Sequence, residues 1–437
     1  MNKTFGAIGV MLALTGCGLF GDDDETPTVG NRTPVLVSET PIVADPQIAN
    51  VPVVLPMAAT NASWAQPGGS ADKSVGHLGL GAAPTRVWSV SIGNGGSNRK
   101  RIASPPVIAG GRVYTMDADA VIRAFDAATG SMAWEAQLGS DIGSEVALFG
   151  GGVSVEGDRL YATNGVGYAA ALNAADGSVI WKVRPGPPLR GAPTIASGTV
   201  YVVSQDNQLF ALDPADGSTN WNAAGALEVS GVFGVAAPAA AQGTVVAGFS
   251  SGELSAFRYE NGRALWQDSI SRTSISTSVS SLSDIDASPV IEGGIVYAIG
   301  QGGRMIALQL ATGQRIWELN VGGIATPWVA GDWLFAVTDE AKVIAVARAS
   351  GRIRWMTQLN RWRDVEDRRG PIYWRGPVLA GGRLILVSTR GELAFLDAAT
   401  GAVQQIVEAG EGFDLNPVVA NDTLYLLDNS GQLSAWR

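Results

Sequence analysis

An all-β fold is predicted, an eight-bladed propeller of four-stranded blades, and three observations carry the prediction. First, Gly130, Gly177, Gly217, Gly262, Gly313 and Gly351 are each followed four residues later by a tryptophan (Trp134, Trp181, Trp221, Trp266, Trp317 and Trp355), and Gly401 is followed by Gln405. Second, these marked positions are 47, 40, 45, 51, 38 and 50 residues apart, the range of four-stranded blades rather than of helical repeats. Third, glycine makes up 56 of 437 residues and only 16% are charged, a composition of many tight turns joining buried strands.

The chain opens with Lys3, an apolar run over residues 5–14, and Leu14-Thr15-Gly16-Cys17. The run is too short to span a bilayer. It resembles the lipobox of bacterial lipoproteins, which implies a signal peptide over 1–16 and acylation of Cys17, the sole cysteine. Gly18 after it, in place of Asp, implies outer-membrane sorting. Residues 17–75 are acidic at first (Asp22 to Glu25), then rich in Pro, Thr, Val and Ala, and read as a lipidated, mostly extended tether. The stretch Ile48 to Pro56 and Trp64 are its candidates for docking.

From residue 76 to 437 the propeller units follow. Residues 106–134 show the pattern: a short apolar strand, the Gly110-Gly111 turn, Arg112-Val-Tyr, Val121-Ile-Arg-Ala-Phe, then Asp126-Ala-Ala-Thr-Gly130 and the strand of Trp134. The recurrent tryptophans read as fillers of the seam between neighbouring sheets. At the ends, Pro417-Val-Val, Thr423 to Leu427 and Gln432 to Trp436 supply three strands, while Arg86-Val-Trp88-Ser-Val supplies a fourth with no blade before it. Seven whole units and this split one make eight, and pairing the two ends removes an open sheet edge.

Net charge of −10 gives no footprint for nucleic acid phosphates. One cysteine excludes an intrachain disulfide. Gly248-Phe-Ser250-Ser-Gly252 matches the nucleophile elbow in letters but falls in a predicted hairpin, and the only histidine available as a base, His77, lies at the tether junction. Gly93-Asn-Gly95-Gly96 lacks the Lys and the following helix of a phosphate cradle. No His/Cys cluster has metal spacing, and no cofactor is expected.

The repeat Ala-x-(Asp/Asn)-x-x-(Thr/Asp)-Gly-x-x-x-Trp resembles the PQQ-like repeat shared by quinoprotein dehydrogenases and by the BamB family of outer-membrane assembly lipoproteins. The resemblance spans residues 76–437. The dehydrogenases carry a vicinal disulfide, a calcium or lanthanide site and a catalytic Asp. Here the single cysteine is assigned to the lipid, so a PQQ-binding protein is the alternative. Ser283-Asp284-Ile285-Asp286-Ala287-Ser288-Pro289-Val290 looks like the BamB family's Asp-x-Asp segment. That likeness implies that Asp284 and Asp286 contact the POTRA domains of BamA. In the other reading these acids only satisfy turn amides.

The family's Leu-Arg-Gly contact is matched in letters by Leu189-Arg190-Gly191, though one blade early; by register the equivalents are Val232 and Phe233. The resemblance implies a nonenzymatic scaffold at the periplasmic face of the outer membrane, a monomer within a hetero-complex. Its partners would be BamA, the other complex subunits and nascent outer-membrane proteins. A second surface is expected in the loop 359–376, where Trp362, Arg363 and Trp374 join further aromatics and arginines. The competing reading packs Trp374 on its blade and pairs the charges locally.

Overall fold

The computed structural model describes residues 42–138, 149–226, 236–270, 284–301 and 303–437. Eight four-stranded antiparallel sheets form the blades: 107–137, 151–183, 194–224, 239–269, 290–319, 328–358, 374–408 and, eighth, 418–436 completed by Arg86–Ser91. The split blade is as the sequence predicts. Arg86–Ser91 pairs antiparallel with Gln432–Trp436, and Thr85 and Arg437 exchange backbone hydrogen bonds of 2.6 and 2.9 Å. The core lies in the seams between sheets: Tyr161 and Trp181 of the second blade, for instance, pack with Val200, Val202 and Phe210 of the third.

The recurrent Gly and Trp turn out to be one contact repeated around the ring. Each tryptophan lies over the glycine of the next blade's turn, and a Cβ on Gly130, Gly177, Gly217, Gly262, Gly313, Gly351 or Gly401 would come within 2.5–2.8 Å of that ring. Each indole N–H also donates to a carbonyl in the same turn at 2.6–3.3 Å. Glycine is therefore required twice over, by its positive φ and by the ring above it. Trp88 of the split blade covers Gly130 and completes the series. Gln405 faces the split blade, where the chain ends stand in place of the turn; with no glycine to cover, it is exposed.

Residues 42–75 depart from the tether reading. Asp45 N–H donates to Ile353 O at 2.8 Å and Arg354 Nε to Val51 O at 2.6 Å, which lays the first part along the outer strand of the sixth blade. The chain then enters the centre of the ring. Trp64 is buried and stacks on Trp328 with centroids 6.1 Å apart. Asn61 bonds the eighth blade (Asn421 N–H to Asn61 O, 2.8 Å), Trp64 the first (both ways with Ile108, 2.8 and 2.9 Å) and Ala65 the second (Val155 N–H, 2.7 Å). The Gln66 side chain holds both backbone groups of Ile195 in the third at 3.0 and 3.1 Å.

Ala71 and Asp72 accept from Ala240 and Ile291 of the fourth and fifth, each at 2.8 Å. Gly76 O accepts from Trp328 Nε1 of the sixth at 2.8 Å, and Leu78 pairs with Leu379 and Gly381 of the seventh at 3.0 and 2.9 Å. The segment thus makes one circuit of the axis in blade order. A pattern-free, proline-containing stretch is ordered because the inner strands present unpaired amides toward the axis, and buried amides must find partners.

Candidate partner-binding site at the channel mouth

Opposite this closure, described residues leading into the first, fifth, sixth, seventh and eighth blades line the other end of the channel. In the lead-in to the fifth blade, extended backbone sends alternate side chains to opposite sides. Ile285 fills the seam, where a Cβ on Gly248 would lie 2.5 Å from it, and Asp284 and Asp286 point the other way. The lead-in to the third blade is pinned on both sides, Arg190 N–H donating to Val203 O and Gly151 N–H to Arg190 O, each at 2.8 Å. Gly150 and Gly151 allow that approach, since a Cβ on Gly150 would sit 2.4 Å from Leu189 O.

From that fixed backbone the Arg190 side chain reaches from the third blade to the lead-in of the fifth. Its Nη2 lies 2.8 Å from Asp284 Oδ1 and 3.5 Å from Asp286 Oδ1. The two segments that the sequence singled out separately are therefore brought together, but not as exposed contacts. Leu189, Arg190 and Asp284 are each 0–1% exposed and lie inside the lead-in face rather than on its surface. Burial of the guanidinium demands a counter-charge, and Asp284 supplies it. Asp286 stays at the cavity wall. Burial, and then the neighbouring Asp284 charge, push its carboxyl up to about 6, against the pull of Arg190, Arg101 and Arg375. Val232 and Phe233 lie outside the described residues.

The channel holds a cavity of about 120 Å³, floored by Trp64, Gly68 and Lys73 and walled at its mouth by Arg101, Asp286, Arg375 and Asp414. Arg375 Nε donates to Asp414 O at 2.9 Å. Asp339, nearby, is raised to about 6 by burial, with Arg375 and Arg361 opposing. Sequence reasoning missed Asp414, yet a signal for it exists. Arg190, Asp286 and Asp414 each stand three residues before the proline that begins a blade (Pro193, Pro289, Pro417), so one register position faces the axis. Arg101 and Arg375 are off that register and carry no such mark.

The loop before the seventh blade forms a small hairpin, Trp362–Asp364 paired with Arg369–Pro371. Arg361 stacks over the Trp362 ring at 5.2 Å, and Arg363 is exposed. Trp374 packs on its blade, the alternative left open by the sequence: it is buried, with its Nε1 donating to Asn360 O at 2.9 Å. Gly248 to Gly252 turns a hairpin, and Ser250 Oγ donates to Asn207 Oδ1 at 2.8 Å. His77 is engaged elsewhere, Nδ1 lying 2.7 Å from Pro56 O while Nε2 accepts from Gly382 N–H at 2.8 Å.

A sequence model of the family described as outer membrane protein assembly factor BamB matches residues 85–144 and 118–357. The chain is 31% identical to BamB of Salmonella typhimurium over 398 residues, which cover 80% of this chain and 88% of that one. The chain belongs to the BamB family. BamB of Vibrio cholerae is 33% identical over 354 residues, with 80% and 88% covered. The crystal structure of BamB from Moraxella catarrhalis superposes with a TM-score of 0.68 at 19% identity, covering 81% of this chain and all of that one (100%).

The propeller is shared more widely. A quinohemoprotein alcohol dehydrogenase from Comamonas testosteroni superposes at TM-score 0.68 and 13% identity over 87% of this chain and 81% of its own, a likeness of fold alone. The model for the propeller domain of glucose, ethanol and alcohol dehydrogenases matches residues 320–408.

Proposed function

We propose that this protein is an outer-membrane protein assembly factor, a nonenzymatic lipoprotein held to the membrane through acylated Cys17, that binds the POTRA domains of BamA with the lead-in face of its propeller. The BamB family relationship carries the reading. What supports the choice of face is the charged rim around Asp286, Arg101, Arg375 and Asp414, with the exposed hairpin of Arg363 beside it, against a turn face closed by the chain's own residues 61–78. Arg190 and Asp284 act beneath that rim as positioning residues that fix Asp286. Proteins that assemble barrels need a rigid platform with specific contacts, and rim loops on a propeller provide one.

The quinoprotein reading meets the residues 320–408 match but not the chemistry of the channel. A tricyclic quinone tricarboxylate belongs with ligands whose pockets enclose roughly 300–1,000 Å³. The cavity here is about 120 Å³, and its floor is Trp64 and Lys73 of the chain itself. Among the described residues no group of three or more His, Cys, Asp or Glu is placed to hold a metal ion. The residues present do not fit the quinone and its cation.

Calorimetry of the chain from Asp22 to Arg437 with the POTRA fragment of the same organism's BamA tests the proposal. Binding that weakens about tenfold or more in Asp286→Arg supports both function and face, because an inverted charge leaves its partner unpaired. Binding unchanged in Asp286→Arg but lost in Arg363→Glu moves the contact to the hairpin. No binding by the unaltered chain overturns the reading.

A further inference from the structure

The innermost strand of a propeller blade has a neighbour on one side only. Its other edge faces the axis, and an uncovered strand edge is a template for another extended segment. Here such edges converge on one hub. Ile108, Val155, Ile195, Ala240 and Ile291, each next to or at the middle of its inner strand, direct an amide N–H to residues 64–72. Nearly all the acceptors are backbone carbonyls, as in strand addition.

We propose that the hub of this propeller is a binding site for an extended peptide, and that residues 57–81 are its ligand, supplied by the chain itself. Three observations argue for it. The contacts are spread over all eight blades and not concentrated at the covalent junction. Trp64 is a buried aromatic anchor stacked on Trp328, the arrangement that dominates peptide and protein interfaces. The far end is clasped by His77. Its Nε2 accepts from Gly382 N–H at 2.8 Å and its Nδ1 lies 2.7 Å from Pro56 O, so one ring ties both ends of the segment. Beyond the clasp, Gly81, Ala82 and Ala83 are exposed before the split blade begins, so the link from ligand to propeller is accessible. The tight reversal inside the ligand also needs its glycines: a Cβ on Gly69, whose φ is +88°, would lie 2.7 Å from Val75.

The test is made on the full chain with a protease site inserted between Ala82 and Ala83, cut after folding and passed over a native sizing column. The N-terminal fragment is expected to remain with the propeller. A fluorescent synthetic peptide of residues 57–81 is expected to exchange into the cut protein but not the uncut one, and the same peptide carrying Trp64→Ala is expected to compete at least tenfold more weakly. Release of the fragment on cutting, with or without unfolding of the propeller, would overturn the proposal. Equal competition by the Trp64→Ala peptide would overturn it as well.

Discussion

At the turn end of the channel every blade is met largely by backbone, whereas at the lead-in end the blades meet one another through charge. Residues 61–78 place carbonyls and amides against the inner strands. Across the cavity, Arg190, Asp284, Asp286, Arg375 and Asp414 are joined by side chains from different blades. Backbone pairing holds with many sequences; a buried ion pair holds with very few. The difference sets closure at one end and the proposed recognition at the other.

Removing one charge at the lead-in end is the harshest way to break that comparison. Asp284→Ala leaves the fully buried Arg190 with only the longer 3.5 Å contact to Asp286 and is expected to cost about 3–5 kcal/mol, read as a lowered denaturation midpoint. The double variant Arg190→Met/Asp284→Leu is expected to recover most of it while partner binding stays impaired. Trp64→Ala attacks the other end. Loss of a buried indole costs about 3–5 kcal/mol by the same readout, but here affinity for the partner is expected to be retained.

Smaller effects sharpen the picture. Gly217→Ala forces a Cβ to 2.7 Å from the Trp181 ring at a φ of +77°. It is expected to cost about 2–4 kcal/mol, overpacking and backbone strain adding. Gly110→Ala, at a φ of +58° with open space around it, should show the strain alone, about 1–2 kcal/mol.

A different kind of effect is in pH. Burial holds the Lys73 amine down at about 7 against an unfolded value of 10.5, Asp72 opposing. Between those values the unfolded chain binds more protons, so stability rises with pH. Asp286 and Asp339 are raised to about 6 from 3.8, so the folded chain binds more protons there and stability falls as pH climbs through that window. Lys73→Met should abolish the alkaline rise and leave the acid limb, a comparison made by denaturation midpoints across both ranges.

The propeller was legible because its stabilising contact, indole over glycine, needs two residue types at fixed spacing, and that spacing recurs in six of the seven whole blades. Even the exception is informative: Gln405 lacks tryptophan because its neighbour is the split blade. The candidate site was half legible. Arg190 and Asp284 stand out as residue types out of place before apolar strands, but they are 94 positions apart and nothing local shows that they neutralise each other. Read singly, each looked like a surface contact. The closure by residues 61–78 left the faintest trace, since a segment bound through its own carbonyls needs no side-chain period. Trp64 was its single visible mark.

Hydrogen exchange of the whole chain, free and bound to the POTRA fragment, tests the division between the two ends most directly. The account expects new protection in the lead-in segments 101–105, 284–288 and 410–417, with the Gly110-Gly111, Gly293-Gly294 and Gly381-Gly382 turns unchanged. Protection confined to those turns, with the lead-in segments unaltered, would contradict it.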